Sequence, residues 1–339
     1  MPNRHLAFRV LFVLFVAGVI PACTEKSTAG PQPDVVAAAD NPPLPSKAAA
    51  IRFAILGDAG QWSKPQRELA QQIIAQRAQF PYEFVLMLGD NNYGDGSPES
   101  YRLRFEEPYK PLIDAGVKFY AALGNHDVGP QWNYPLFNMN GHRYYTFEEK
   151  TGVPLISENA VRFFVLDTNN LDDDQVAWFD RELSGSHADW KIVYFHHPMY
   201  TSGRYYWSTL LRRRTLEPVM VKNGVDLVLA GHEHVYERLV PQNGIIYFTS
   251  GSAGAVRVGD LKPSPLTAKG YDRDLSFMLV EISGDTLYFQ TINRLGETID
   301  SGRITKKKDQ RDRKIGPTLA APSLQTRQPT AAHPESPRP

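Results

Sequence analysis

The chain has 339 residues, 42% hydrophobic and 22% charged, enough to bury the core of one large domain or two small ones. Lysine plus arginine and aspartate plus glutamate both number 37. That balance gives no ground for nucleic acid or an anionic membrane surface as the main partner. A lone cysteine, Cys23, excludes an internal disulfide, so the fold must stand on its core.

At the N-terminus, Arg4 and Arg9 precede an apolar run over 10–20, and "PAC" follows. A basic start, an apolar core and small residues make a secretory signal over 1–22. The run is short of the roughly 20 residues that span a bilayer; an uncleaved anchor is the alternative. "VIPAC" resembles the lipobox of bacterial lipoproteins, with Pro21 where a small or polar residue is usual. That resemblance implies export to a periplasmic or other extracytoplasmic location, with a lipid anchor on Cys23. Residues 23–49, rich in Ala, Pro, Ser and Asp, read as a flexible linker.

From Ile51 the pattern changes. Buried strands are expected at 51–56, 83–88 and 118–123, with helices at 64–80 and about 98–115 between them. A strand at 160–168 precedes a helix at 172–183 whose first turn is acidic. Another strand follows at 190–195, then a helix near 209–223 and a strand at 225–230. The remainder turns to hairpin-type strands at 244–251, 276–282 and 286–292. Strands alternating with helices, then runs of strands, predict an α/β fold, a mixed-sheet sandwich with helices outside, in one domain over 50–305. The tail, 306–339, opens on "KKKDQRDRK" and continues in Pro, Ala, Ser and Thr, the composition of a disordered basic segment.

Five of these strands end alike. They lead into Gly57-Asp58-Ala59-Gly60, Gly89-Asp90-Asn91-Asn92-Tyr93, Gly124-Asn125-His126-Asp127, His196-His197-Pro198 and Gly231-His232-Glu233-His234. Ligands of open α/β sheets bind at the carboxyl ends of strands. Five of the chain's nine histidines lie in these loops. Any one of them read alone is a turn, a cap or a scaffold histidine. Together they are oxygen and nitrogen donors without thiolate, suited to Fe, Zn or Mn. They are too many for one ion, and a bridging carboxylate holds two ions about 3.5–4 Å apart. In a strand-like His-x-His, His232 and His234 point the same way, so one loop reaches both ions.

The ordered motifs GD-x-G, GDNxxY, GNHD, HHP and GHEH resemble the calcineurin-like metallophosphoesterase superfamily, and most closely the purple (tartrate-resistant) acid phosphatases. The resemblance covers about residues 51 to 300. It implies a four-layer α/β/β/α sandwich and a small, single-domain form. The narrower placement rests on Gly60, where many metallophosphoesterases have a histidine, and on Tyr93, three residues after Asp90. By motif, the first metal would take Asp58, Tyr93 and His234, and the second Asn125, His196 and His232, with Asp90 bridging. Glu233 would point away, to the surface or behind the ligands.

Two aspartates, a tyrosinate and a bridging hydroxide carry four negative charges against five positive on an Fe(III)–M(II) pair. About one positive charge is left to favour an incoming phosphate. The implied cofactors are two metal ions, Fe(III) with Fe(II), Zn(II) or Mn(II). The implied reaction is attack of a metal-bound hydroxide on a phosphate monoester, with His126 as the catalytic group assisting the phosphate or leaving group. His197, Arg204 and Tyr205 are the expected substrate-binding residues. Tyr205 stands where relatives often carry a further histidine proposed as general acid, which predicts slower turnover of poor leaving groups. Expected partners are small-molecule phosphate esters, not nucleic acid; the membrane is met only through the N-terminal lipid anchor, and the chain acts as a monomer. A phosphodiesterase or nucleotide pyrophosphatase on the same fold, or a non-catalytic binding protein, are the alternatives.

Overall fold

A computed structural model describes residues 33–38, 43–151 and 160–306. The expected signal, Cys23 and the tail from residue 307 lie outside them. No helix among the described residues is long and apolar enough to cross a membrane.

The first strand departs from the linker expectation. β1 (Asp34–Ala37) pairs antiparallel with 302–305 at the far end of the chain, Val36 opposite Arg303. Its side chains are largely exposed, so no apolar alternation marks it; backbone bonds and the packing of Val35 on the core hold it at the sheet edge. β2 (Ile51–Leu56), β3 (Phe84–Met87) and β4 (Lys118–Ala121) then pair in parallel. α1 (Lys64–Gln79) joins the first two; Ser63 caps it by accepting from the Gln66 N–H, and a proline sits in its first turn. A short helix, α2 (Pro98–Tyr101), a π-helical turn and α3 (Glu107–Asp114) join β3 to β4.

β5 (Tyr145–Lys150) pairs antiparallel with β6 (Ala160–Val165). α4 (Asp173–Ser184), capped by Asp172, leads to β7 (Trp190–Phe195), and α5 (Thr209–Lys222) leads to β8 (Leu227–Ala230). β9 (Tyr236–Leu239), β10 (Ile246–Ser250), β11 (Thr267–Tyr271), β12 (Ser276–Ser283), β13 (Thr286–Asn293) and β14 (Thr298–Thr305) complete the described chain.

The strands form two seven-stranded mixed sheets, β1-β14-β13-β12-β2-β3-β4 and β11-β9-β10-β8-β7-β6-β5. Period-two alternation divides their side chains between layers. Phe53 and Ile55 of β2, Phe163 of β6, Ile192 and Tyr194 of β7 and Leu229 of β8 face the core between the sheets. There Phe53 meets Phe163 edge-on at 5.4 Å. Ala54 and Leu56 point outward onto Leu69 and Ile73 of α1 and Leu112 of α3. Phe164, Val193 and Val228 point outward onto Phe179 of α4 and Leu216 of α5. The result is the four-layer α/β/β/α sandwich, and it brings the carboxyl ends of the parallel strands of both sheets to one edge.

β5, β9, β11 and β14 are strands that apolar patterning does not mark. β9 reads YERL and β14 reads TIDSGRIT, yet Glu237, Arg238 and Asp300 are buried. Asp300 accepts from Tyr236 Oη at 2.7 Å and from Arg238 Nε at 2.7 Å. Arg238 and Asp300 go inside because they pair between the two sheets, and Glu237 because it accepts from Thr201, Ser202 and Thr267. At the C-terminal end, Lys306 is packed, not free: its ammonium lies 2.7 Å from Asp226 and over the Trp190 ring.

Candidate metal centre

The loops after β2, β3, β4, β7 and β8 meet at this edge, and backbone bonds lock them together. Asp58 N–H donates to Gly89 O, Gly60 N–H to Asp90 O and Tyr93 N–H to Gly60 O. This crossing explains the glycine at position 60: a Cβ there would lie 2.3 Å from Asn91 O. Gly124 is similarly obliged, since a Cβ would lie 2.1 Å from Asp90 N. Asp58, Asp90 and His232 all take positive φ, at 58°, 52° and 68°. Non-glycine residues adopt that region at a cost, and such strain gathers at functional sites.

Two clusters of donor atoms result. In one, Tyr93 Oη lies 3.3 Å from Asp58 Oδ1 and 3.0 Å from His234 Nε2, and the latter two are 3.3 Å apart. In the other, His196 Nε2 lies 3.0 Å from Asn125 Oδ1, 3.2 Å from His232 Nδ1 and 3.4 Å from Asp90 Oδ2. Ligands at roughly 2.1 Å from one ion in a tetrahedron stand about 3.4 Å from each other, and both clusters have this spacing. Asp58, Asp90 and His234 form one group able to hold a metal ion, and His196, His197 and His232 another.

Electrostatics favours a cation here. Asp58 and Asp90 are essentially fully buried, and the ion-pair partner of each is a histidine, not a lysine or arginine. Burial alone would lower the His196 imidazole; the carboxylates of Asp58 and Asp90 outweigh it and push it up to about 9. Burial acts against the Asp90 carboxylate, but the His196 hydrogen bond and charge hold it well below the carboxylate range. Burial, with the nearby Asp58 and Asp90, drives the Tyr93 phenol far up, so it needs a cation beside it to ionise. Burial and then the His196 charge push His232 down to about 3, leaving a neutral imidazole with a lone pair to offer. His196 is oriented from behind, its Nδ1 3.0 Å from Leu88 O. These residues fit the two-ion set expected from the sequence.

The other expected site residues divide. His126 is exposed at the mouth; its N–H donates to Asp90 Oδ1 at 2.8 Å and its ring lies 4.7 Å from that of Tyr93. His197 is buried, with Nδ1 2.9 Å from Thr168 Oγ1 and its ring 4.4 Å from that of His232. Burial, then the charges of His196 and Arg212, push it down to about 2. It is therefore a neutral neighbour of the second cluster. Tyr205 lies with its ring 4.3 Å from that of His232. Arg204 departs from expectation: it is exposed and pairs with Asp260 at 3.2 Å, while the neighbouring Tyr205 ring faces His232.

The cation at this wall is Arg257, which no motif signals. Its Nη1 donates to His232 O at 3.3 Å, its backbone N–H donates to His234 O, and its guanidinium stands 5.3 Å from the centre of the Tyr205 ring. Asp127 is a second residue without an assigned role. Its carboxylate accepts from the N–H groups of Asn91, Asn92 and Gly124 and fixes both loops; burial and then Asp90 push it up to about 7. The last residue of GNHD was its only sequence signal. Glu233 points away from the donors as expected, but it is completely buried and not at the surface.

Residues 51–236 match the family described as calcineurin-like phosphoesterase. Tartrate-resistant acid phosphatase type 5 of Rattus norvegicus is 24% identical over 73% of this chain and 91% of its own length. Purple acid phosphatase 7 of Arabidopsis thaliana is 24% identical over 76% and 87%. Among solved structures, the purple acid phosphatase PPD1 of yellow lupin superposes with a TM-score of 0.64 at 20% identity, over 84% of this chain and 58% of that one. GAP50 of Plasmodium, the anchor in the inner membrane complex, gives 0.66 at 22% identity over 76% and 90%. The structural likenesses show the shared fold. With more than half of its length matched, the chain belongs to the calcineurin-like phosphoesterase family.

Proposed function

We propose that the chain is a dinuclear-metal phosphomonoesterase of acid phosphatase type, hydrolysing small phosphate esters. The observation that carries this is the pair of donor clusters, each at metal-ligand spacing, with the buried Asp90 carboxylate between them. Asp58, Tyr93 and His234 would hold one ion, Asn125, His196 and His232 the other, and Asp90 both. The pair suits Fe(III) with Fe(II), Zn(II) or Mn(II), because a phenolate is a hard ligand and the rest are oxygen and imidazole donors. When bound, two such ions supply positive charge for the phosphoryl oxygens and acidify water for in-line attack.

The protein's own groups orient the ester. His126, exposed beside Tyr93, presents its imidazole at the mouth, positioned for the phosphate or the leaving oxygen. Tyr205 and Arg257 present phenol and guanidinium donors on the His232 side. The buried faces of His196 and His197 exclude bulk water behind the phosphate. Export with lipid attachment at Cys23 belongs to the same reading; radiolabelled palmitate incorporation that persists in Cys23→Ser would exclude it.

The test of activity is phosphate release by purified protein loaded with iron and zinc. p-Nitrophenyl phosphate should be hydrolysed well and bis-p-nitrophenyl phosphate poorly; the reverse order would make the chain a phosphodiesterase. Unchanged release in both Asn125→Ala and His232→Ala would sink the dinuclear reading.

A further inference from the structure

Beyond Tyr205 lies a surface that the proposed chemistry does not use. The chain makes one 3₁₀ turn (Tyr206–Ser208) and enters α5. Four large apolar side chains stand on this corner: Trp207 is 87% exposed, Leu211 76%, Tyr206 47% and Leu210 40%. The other large apolar residues exposed on the described surface, such as Trp62, Val128 and Leu295, are scattered singly along the sequence. Four within six residues therefore stand apart. Tyr206 and Trp207 meet edge-on with ring centres 5.0 Å apart, and Leu210 and Leu211 follow in the first turn of α5.

Arginine predominates at this corner, with Asp260 and Glu217 as its acidic neighbours. Residues 199–216 contain Arg204, Arg212, Arg213 and Arg214 and no aspartate or glutamate, in a chain whose total charge is zero. Arg212 donates to the carbonyls of Thr168 and Ser208, and Arg213 lies over the Tyr200 ring, so both are fixed behind the apolar residues. Arg214 is exposed, and exposed Arg204 is shared with Asp260. An apolar tip of Trp, Tyr and Leu backed by arginine is the composition that seats at a lipid–water interface. The side chains enter the acyl boundary and the guanidinium groups meet anionic headgroups.

We propose that the corner 206–214 docks on an anionic lipid bilayer. This is independent of the lipid attachment expected at Cys23 and of the phosphatase reading. Docking brings the membrane beside the His232 wall of the metal centre, since Tyr205, whose ring lies 4.3 Å from that of His232, adjoins Tyr206 directly. The balanced net charge hides this surface because the local excess is offset elsewhere in the chain.

The test reads Trp207 locally, so that attachment through the N-terminus does not confuse it. Emission of the full chain with Cys23→Ser, minus that of the same chain with Trp207→Phe, isolates Trp207. With vesicles of brominated phosphatidylglycerol this component should be quenched, and with brominated phosphatidylcholine it should not. Vesicle affinity should fall at least about fivefold in Leu211→Ser and about tenfold in Arg214→Glu or in high salt. These residues are exposed, so unchanged melting curves are expected for the variants. A Trp207 component that brominated phosphatidylglycerol leaves unquenched overturns the proposal. So does self-association in sedimentation that Leu211→Ser abolishes, which would make the corner a contact between copies of the chain.

Discussion

The backbone N–H of Tyr205 donates to Glu233 Oε1 at 2.5 Å, so the residue between the two histidines of GHEH holds the residue whose ring covers one of them. The packing is close: a Cβ on Gly203 would lie 2.7 Å from the Glu233 carboxyl carbon. Four residues on, Glu237 accepts from Thr201 Oγ1, from the Ser202 N–H and from Thr267 Oγ1. Two buried carboxylates on one segment thus clasp the 201–205 loop to the histidines. Their desolvation is offset by these bonds, although Glu233 Oε2 keeps no partner.

Removing the Glu233 carboxylate should free Tyr205 without touching a donor of the clusters. Glu233→Ala is expected to lower kcat/KM about tenfold, mainly through KM, from loss of a charge-assisted hydrogen bond. Metal content should stay at the wild-type value, and Glu233→Gln, which keeps an acceptor, should recover most of the loss. Steady-state kinetics with metal analysis on the same samples checks this; loss of metal in Glu233→Ala would show that it supports the histidines instead.

Arg204 and Arg257 make opposite predictions. Arg204 shares its charge with Asp260 at the exposed rim, so Arg204→Ala should change kcat/KM by less than about twofold, as for other exposed pairs. Arg257 faces Tyr205 and bonds the His232 carbonyl, with most of its N–H groups left for a ligand. Arg257→Ala should raise KM about tenfold for phosphate esters and weaken competitive inhibition by inorganic phosphate in parallel. Equal, small effects of the two substitutions would remove Arg257 from the substrate wall.

What was legible in the sequence follows from how each signal arises. The donors from Asp58 to His234 stand out because five strand ends repeat one pattern, and the fold brings all five to one edge. The parallel strands were visible as continuous apolar runs, since both faces of β2, β3, β7 and β8 are buried. β1 carries no such run, and its partner, β14, lies more than 260 residues away. Arg257 was silent for a related reason: its place is set by backbone bonds to the histidine loop, which leave no residue pattern. Alternation along His-x-His turns Glu233 away from the donors, but what lies on its other side depends on the path of the 199–208 loop.

Tyr93 separates the purple acid phosphatase reading from its wider family. Its phenol is buried between Asp58 and His234, where ionisation without a cation is strongly disfavoured. Protein loaded with Fe(III) should therefore show a visible tyrosinate-to-iron band. Tyr93→Phe should abolish the band and lower iron affinity by about 10–100-fold, while zinc at the His196 side is retained. A band of equal intensity in Tyr93→Phe would assign the colour to another group.

Away from the metal centre, Asp300 of β14 ties Tyr236 and Arg238 of β9 across the two sheets, a contact expected to weigh heavily in stability. Asp300 receives Tyr236 Oη, Arg238 Nε and Arg238 Nη2, all buried, and the Arg238 guanidinium also stands over Phe289 in the core between the sheets. Removing one partner strands a buried guanidinium, so Asp300→Ala should cost about 3–5 kcal/mol in urea unfolding. Arg238→Met with Asp300→Leu, which removes both charges and keeps the apolar volume, should recover much of that loss. A cost below about 1 kcal/mol for Asp300→Ala would mean that water reaches Arg238 and that the strand edges open there.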